Sequence, residues 1–304
     1  MARDPILILH TDAPERATAQ VSARHGDLEI HACDSYAALP DLVSATRAEV
    51  VYSVRFAGTP GFPRAALVEG ETLRWVAVGG SGTDHLAPWA PEHVTVTNSA
   101  GVAADMMAEY VLGCLLSFTL DLRRFARAQA AREWLAGQVA PIAGRTVLIV
   151  GLGPTGRSVA RRCRAMGMYV LGVRARPAPT PEVDEVHGQQ ALMDLWPRAD
   201  AVVVCVPLLV STRGLVGRAA FARMRPGTVV VDVSRGGIVD EEALLDSLRS
   251  GKLAGAALDV FETEPLPSDH PFWGMDNVIV TPHCSSVFPE WQTKSVEMFC
   301  DNLD

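Results

Sequence analysis

A glycine-rich turn is the feature of the sequence that points most directly to chemistry. Gly151, Gly153 and Gly156 follow the apolar run Thr146–Val150, and a helix-like segment comes next. In this setting the first glycine makes a tight turn, the second lets the backbone approach a pyrophosphate, and the third lets helix and strand pack closely. The helix N-terminus then offers N–H groups to the phosphates. The pattern predicts a dinucleotide site, and the alternative is a glycine turn with a purely structural role.

Two arginines follow the next predicted strand, at the place where an NAD-specific site usually has an acidic residue that bonds the ribose 2′-hydroxyl. The strand Tyr169–Val173 ends in Arg174-Ala175-Arg176, with no acid. Guanidinium groups suit a 2′-phosphate, which they can bind through two parallel hydrogen bonds. The sequence therefore predicts a preference for NADP(H) over NAD(H), and the alternative is a pair of solvated surface arginines.

Three later segments each place a polar side chain just past a predicted strand. Arg235, Glu264 and His283 occupy these positions. Ligands of open parallel sheets bind at the carboxyl ends of the strands, so the three side chains are candidates for one reacting site. The alternatives are a structural histidine, a surface loop glutamate, and an arginine paired with Asp232 or Asp240.

These segments and the glycine turn together resemble the D-isomer-specific 2-hydroxyacid dehydrogenases. The resemblance covers nearly the whole chain and keeps the family's motifs in order. The motifs are the glycine turn, Val78-Gly79-Gly80-Ser81-Gly82-Thr83-Asp84, Asn98-Ser99-Ala100-Gly101, Ala108-Glu109 and the segments 230–240, 258–267 and 280–285. Some positions depart from the pattern without removing a reacting group: Ser285 and Ser286, Ala100, and Pro154-Thr155.

The resemblance implies a reaction and gives each group a role. Reduction of a 2-keto acid needs a hydride donor, a proton donor for the carbonyl oxygen and a cation near the carboxylate. His283 is expected to be the general acid in reduction and the base in oxidation, with Glu264 to orient it. Arg235 is expected to bind the substrate and polarise its carbonyl. The expected activity is that of an NAD(P)-dependent D-2-hydroxyacid dehydrogenase, with glyoxylate or hydroxypyruvate as the first substrates to consider.

The resemblance also assigns contacts to cofactor and substrate. Asp259 is expected to bond the nicotinamide carboxamide, and the alternative is that it only caps the following turn. Backbone N–H groups around Gly79 and Gly80 are expected to hold the substrate carboxylate. Arg55 and Phe56 either contact substrate or are a solvated arginine and a core phenylalanine. The expected cofactor contacts are Gly151, Gly153, Pro154, Thr155, Gly156, Arg174, Arg176, Val206, Pro207, Thr212, Ser234, Asp259 and Ser285. The expected substrate contacts are Arg55, Phe56, Gly79, Gly80, Arg235 and His283, and no metal is expected.

The elements that position these residues follow from short apolar runs that alternate with helix-like segments. Several runs are continuously apolar, as is typical of strands covered on both faces by helices. The alternation predicts an α/β fold with parallel, doubly wound sheets. One long helical stretch is expected over 102–132. Ten strands are expected, at 6–9, 50–54, 73–78, 94–97, 146–150, 169–173, 201–206, 228–233, 255–260 and 278–281.

A length of 304 residues suggests two domains. A Rossmann cofactor domain is expected over 99–284, and a flavodoxin-like substrate domain is expected to combine 1–98 with a C-terminal helix in 285–304. That helix is expected to pack back onto the first domain, because no strand follows it. The resemblance further implies a homodimer, formed largely through the cofactor domain and the helix after Asn98.

The bulk composition limits the possible partners. A net charge of −8 argues against nucleic acid as a main partner. The six cysteines include no CxxC pair, which argues against a zinc ribbon or a redox motif. The N-terminus lacks a signal-peptide pattern, and the apolar stretch 110–120 is shorter than the roughly 20 residues that span a bilayer. We therefore expect a cytoplasmic protein that does not bind membranes.

Two other activities use the same fold. A redox-sensing corepressor can keep the Arg, Glu and His residues, but it needs a groove for a partner peptide and usually has long disordered tails, which we do not find in this sequence. Formate dehydrogenases carry glutamine where Glu264 stands, which argues against that activity.

Overall fold

The computed structural model describes residues 4–55 and 59–304, so Phe56, one of the expected substrate contacts, lies outside the described residues. The chain divides into two compact units. The first comprises Met1–Val102 and Phe288–Asp304, and the second comprises Ala103–Val287. The expected domain bounds at 98 and 284 stay a prediction.

The described residues form twelve strands and ten α-helices. The strands are β1 (Leu7–His10), β2 (Ile30–Cys33), β3 (Val50–Ser53), β4 (Trp75–Val78), β5 (Thr95–Asn98), β6 (Thr146–Val150), β7 (Tyr169–Val173), β8 (Glu185–His187), β9 (Ala201–Val204), β10 (Thr228–Asp232), β11 (Leu253–Leu258) and β12 (Val278–Val280). The helices are α1 (Pro14–Arg24), α2 (Leu39–Thr46), α3 (Arg64–Val68), α4 (Ala104–Thr119), α5 (Leu122–Ala131), α6 (Pro154–Ala165), α7 (Leu192–Leu195), α8 (Arg218–Arg223), α9 (Glu241–Arg249) and α10 (Trp291–Leu303).

The first unit is built on a five-stranded parallel sheet in the order β2-β1-β3-β4-β5. This is the flavodoxin-like order, so that part of the fold prediction is confirmed. Successive side chains of β1 point to opposite faces, with Ile8 in one apolar cluster and Leu7 in the other. The second cluster includes Val296 and Phe299 of α10, so the C-terminal helix covers one face of this sheet.

The second unit is built on a seven-stranded parallel sheet in the order β12-β11-β10-β9-β6-β7-β8. Counted from β6, this is the Rossmann order with β12 added at one edge, which confirms the cofactor-domain fold. Leu148 and Val150 of β6 pack in the cluster that includes α7, α8 and α9, whereas Val147 and Ile149 pack in the cluster that includes α4 and α6. Helices therefore cover both faces of the sheet.

The structure differs from the sequence expectation at two strands and at one helix, which is broken in two. The sequence pattern does not predict β2 or β8. Both lie at the edges of their sheets, where half-exposed polar residues interrupt any apolar run. The expected helix over 102–132 is two helices, α4 and α5. The Thr119 hydroxyl donates to the Leu115 carbonyl at the end of α4, and Asp121 has a φ of 53°, which ends the regular helix.

Two features are absent from residues 4–55 and 59–304. None of the helices there is long and apolar enough to cross a lipid bilayer. No cluster of three or more His, Cys, Asp or Glu side chains within those ranges could hold a metal ion.

Candidate functional site

The glycine turn lies between β6 and α6, at the carboxyl edge of the seven-stranded sheet. Gly151 has a φ of 108°, and a Cβ there would lie 2.7 Å from the Cys205 carbonyl oxygen. A Cβ at Gly156 would lie 1.8 Å from the Gly151 carbonyl oxygen, so only glycine lets the turn and the helix pack this closely. A Cβ at Gly153 would meet nothing within 4 Å. The backbone at Gly153 is therefore open to a ligand.

The first turn of α6 suits a phosphate. Gly153 is the N-cap residue, and no side chain caps the helix, so its first N–H groups face the open turn. Pro154 stands at the start, where the missing N–H removes no helix bond. The Thr155 hydroxyl lies 3.6 Å from the Met107 sulfur. The open cradle and the uncapped helix fit a dinucleotide pyrophosphate.

The loop after β9 borders this turn. A Cβ on Gly151 would lie 2.9 Å from a methyl carbon of Val206, so Val206 packs against the turn. The Thr212 hydroxyl donates to the Pro207 carbonyl at 2.6 Å and accepts the Leu209 N–H at 2.8 Å. Thr212 therefore holds its own loop in shape, and the contacts of these residues with a cofactor stay predictions.

Arg174 and Arg176 follow β7, the strand beside β6. The Arg174 side chain is half-buried, and Arg176 is exposed. The Arg174 N–H donates to the His187 carbonyl at 3.1 Å, which fixes the backbone at the start of this segment. The role of the two guanidinium groups stays a prediction.

His283 and Glu264 form a pair in the second unit. The His283 Nδ1 lies 2.9 Å from Oε2 of Glu264, whose Oε1 accepts the Phe261 N–H at 3.0 Å. Burial raises the pKa of Glu264, but the bonds from His283 and Phe261 outweigh it, and the pKa lies below its ordinary value. An ionised carboxylate only accepts, so Nδ1 carries the hydrogen and Nε2 is the atom left for proton exchange. Glu264 is thus a partner of His283 and not an isolated loop acid.

Arg235 lies on a turn that a buried carboxylate organises. The Asp232 Oδ1 accepts the Ser234 N–H at 2.9 Å and also accepts the Ser234 hydroxyl. An Arg235 guanidinium nitrogen donates to the Ser234 carbonyl at 2.8 Å. Burial raises the pKa of Asp232 to about 7, although the bonds from Ser234 oppose the rise. Asp240 caps α9 by accepting the Ala243 N–H, so both nearby aspartates bond to main-chain groups.

Asp259 lies directly after β11 and is completely buried. Its Oδ1 accepts the Thr281 hydroxyl at 2.6 Å and the Cys284 N–H at 2.9 Å. Its Oδ2 accepts the Ser285 N–H at 3.0 Å. The expected bond from Asp259 to a carboxamide and the expected cofactor contact of Ser285 stay predictions, and both residues shape the backbone around His283.

The expected substrate residues of the first unit lie past β3 and β4. The Gly79 N–H donates to the Ser53 carbonyl at 2.9 Å, and a Cβ on Gly79 would lie 2.5 Å from the Tyr52 hydroxyl. A Cβ on Gly80 would meet nothing within 4 Å. Arg55 is exposed. Gly80 is therefore the more accessible of the two glycines.

Sequence reasoning missed Ser295 of α10, which holds the Gly79 segment. Its hydroxyl donates to the Gly79 carbonyl at 2.8 Å and accepts the Tyr52 hydroxyl at 2.8 Å. The Ser99 hydroxyl oxygen lies 3.0 Å from the Ser295 hydroxyl oxygen. The available signal is a serine beside Val296 on the buried side of an otherwise apolar helix face.

Comparisons with known proteins identify the family. The family model described as "D-isomer specific 2-hydroxyacid dehydrogenase, NAD binding domain" matches residues 112–285. A D-3-phosphoglycerate dehydrogenase of Methanocaldococcus jannaschii is 34% identical over 227 residues, which are 72% of this chain and 43% of that protein. The chain therefore matches less than half the length of this relative. A hydroxypyruvate reductase of Thermotoga maritima is 32% identical over 234 residues, which are 74% of each protein.

A solved structure agrees with this assignment. The D-isomer specific 2-hydroxyacid dehydrogenase from Xanthobacter autotrophicus Py2, in complex with NADPH and MES, is 30% identical to this chain. The two structures superpose with a TM-score of 0.84 over 99% of this chain and 94% of that one. The family match extends over more than half of the 304 residues, and the chain belongs to the D-isomer-specific 2-hydroxyacid dehydrogenase family.

Proposed function

We propose that the protein is an NADP(H)-dependent reductase of small 2-keto acids, with glyoxylate and hydroxypyruvate as its first substrates. The observation that carries the proposal is the 2.9 Å pair of Glu264 and His283 at the carboxyl edge of a sheet that also carries the open glycine turn. The family membership supports the reaction class. The relative from Thermotoga maritima, named a hydroxypyruvate reductase, supports the choice of substrate.

The proton step follows from the hydrogen bonds of His283. Glu264 holds Nδ1, so Nε2 donates its proton to the carbonyl oxygen of the 2-keto acid. The nicotinamide cofactor, when bound, supplies the hydride that C2 gains in the same conversion. The product is a 2-hydroxy acid, and the neutral imidazole regains its proton from solvent. In the oxidative direction Nε2 accepts the proton of the hydroxyl.

Charge on the substrate requires a cation. The guanidinium of Arg235 pairs with the carboxylate and polarises the carbonyl, because negative charge develops on the carbonyl oxygen in the transition state. The bond to the Ser234 carbonyl fixes the direction of the side chain. In the first unit we propose that Arg55, Phe56 and the backbone at Gly79 and Gly80 contact the substrate, with the Gly80 N–H as the main donor.

The first experiment is a turnover assay with a panel of 2-keto acids and both reduced cofactors. We expect kcat/KM to be highest for glyoxylate or hydroxypyruvate with NADPH, and lower with NADH for the same acid. The panel includes 3-phosphohydroxypyruvate, because the relative from Methanocaldococcus jannaschii is a D-3-phosphoglycerate dehydrogenase. Tight NADPH binding without turnover of any keto acid would contradict the enzyme assignment and favour a sensor. A clear preference for NADH would contradict the cofactor assignment alone.

The same assay tests Arg174 and Arg176 with the double replacement Arg174→Ser and Arg176→Ser. We expect kcat/KM for NADPH to fall by about tenfold or more, because the 2′-phosphate loses charge-assisted bonds, while the value for NADH changes little. The solved Xanthobacter autotrophicus relative, which contains NADPH, supports this preference. The matched control replaces Arg218 and Arg223 of α8, which are exposed as Arg176 is. Equal losses of kcat/KM with both cofactors would show that the two arginines do not bind the 2′-phosphate.

We also propose that the protein is a cytoplasmic homodimer. Leu122, Trp134 and Val139 of the second unit are exposed, and Trp134 is completely so. A contiguous patch of exposed apolar side chains is typical of a surface that another protein covers, and we propose that these three side chains belong to one. Sedimentation velocity should give twice the mass of one chain, and Trp134→Glu should shift the protein towards the monomer. The matched control is Trp273→Glu, at another exposed tryptophan. A wild-type monomer would contradict the proposal.

A further inference from the structure

His283 has an unusual backbone conformation that its surroundings must maintain. Its φ is 52°, in the left-handed region that residues with a Cβ rarely adopt. Such a conformation persists only where neighbouring groups hold it. The direction of the imidazole follows from this backbone, so the groups that hold the backbone also set where Nε2 points.

A buried carboxylate holds the residues after His283. Asp259 accepts the N–H groups of Cys284 and Ser285, one on each oxygen. On the other side, the His283 N–H donates to the Thr281 carbonyl at 3.1 Å. The turn is therefore fixed at both ends, and the position of Asp259 decides the position of the two later bonds.

Asp259 is held in turn by two hydroxyl groups in series. The Thr281 hydroxyl donates to Oδ1 of Asp259 at 2.6 Å, and the Tyr110 hydroxyl lies 2.7 Å from the Thr281 hydroxyl oxygen. The single hydroxyl hydrogen of Thr281 goes to the carboxylate, so Tyr110 donates to Thr281. Burial raises the pKa of Tyr110, which keeps the phenol protonated as a donor.

We propose that Tyr110, on α4, is a positioning residue for the reaction. Through Thr281 and Asp259 it fixes the left-handed turn at His283 and hence the direction of the Nε2–H bond. The inference rests on the proposed function, since it takes His283 to be the proton donor.

The first test is Tyr110→Phe, which removes one hydroxyl and keeps the ring. We expect kcat for the best keto acid to fall by about tenfold, in line with the loss of one buried hydrogen bond, while KM and the Kd for NADPH change less than twofold. The matched control is Tyr169→Phe, because Tyr169 is exposed and its hydroxyl donates to Glu185 at 2.8 Å, between β7 and the edge strand β8. The control should keep the wild-type kcat. An unchanged kcat in Tyr110→Phe would overturn the proposal.

A pair of variants at Thr281 tests the middle of the chain and does not depend on whether Tyr110→Phe folds. Thr281→Val keeps the shape and removes the hydroxyl, so we expect a loss of kcat at least as large as in Tyr110→Phe. Thr281→Ser restores the hydroxyl and should regain most of the rate lost in the valine variant. Equal losses in the serine and valine variants would mean that packing matters and the hydrogen bond does not.

A readout independent of turnover separates this proposal from the proposed function. The imidazole nitrogens of His283 are followed by NMR in protein labelled with ¹⁵N-histidine, and the His283→Ala variant assigns them. Tyr110→Phe and Thr281→Val should shift these resonances, and Tyr169→Phe should not. If the wild type reduces no keto acid, the proposed function fails, yet this shift pattern would still support the positioning of His283. Unmoved His283 resonances in both variants would overturn it.

Discussion

His283→Ala should lower kcat for keto acid reduction by about 10²-fold to 10⁴-fold, the range that a general acid contributes. The proton for the carbonyl oxygen would then have to come from water and not from a positioned imidazole. The Kd for NADPH should stay within about twofold, because the glycine turn and α6 supply the proposed phosphate contacts. Stopped-flow absorbance at 340 nm measures kcat, and a fluorescence titration measures Kd.

The chain offers a close control for this variant. His31 of β2 also forms a histidine–carboxylate pair, with Nε2 3.0 Å from Oε1 of Glu29. His31→Ala removes a pair of the same type in the first unit and should leave kcat unchanged. Glu264→Gln should give an intermediate loss, because the amide keeps an oxygen for the Phe261 N–H but no longer imposes one imidazole tautomer. Retention of more than a tenth of the wild-type kcat in His283→Ala would refute its role as the acid.

The parts of the fold that sequence predicts well are those in which both faces of a strand are buried. β6, β9 and β10 lie inside the seven-stranded sheet, and their valine-rich runs are typical of strands covered on both faces. β2 and β8 could not be found in this way. An edge strand is partly exposed to solvent, so it can include polar residues such as His31 and Glu185. These residues interrupt the apolar run by which a strand is recognised in the sequence.

The site divides along a similar line. The glycine turn follows from its own spacing, whereas the pair of Glu264 and His283, which are 2.9 Å apart, is implied by the family resemblance. The supporting groups are different, because their partners are remote in sequence. Tyr110 meets Thr281 across 171 positions, and Tyr52 meets Ser295 across 243. Such contacts exist only after the sheets and helices have packed, and no spacing rule describes them.

Gly236 lies where the turn that carries Arg235 meets the loop that carries Glu264, and its replacement should have the second largest effect. A Cβ there would lie 2.0 Å from the Phe261 carbonyl oxygen and 2.7 Å from the Glu262 nitrogen. Both contacts are with backbone, which cannot move aside as a flexible side chain can. Gly236→Ala must therefore push the turn that carries Arg235 away from the loop that carries Glu264. We expect kcat to fall by about 10²-fold, as small misplacements of catalytic groups commonly cost that much.

The displacement should also lower the free energy of unfolding by about 1–3 kcal/mol, the usual cost of overpacking. The matched control is Gly274→Ala, at a glycine where a Cβ meets nothing within 4 Å. Chemical denaturation measures the stability of both variants, and a fluorescence titration with NADPH should give nearly the wild-type Kd, because Gly151, Gly153 and Gly156 are unchanged. A Gly236→Ala enzyme with wild-type kcat would mean that the two segments can separate without harm. Close packing of Gly236 against the backbone of Phe261 and Glu262 would then not be needed for the reaction.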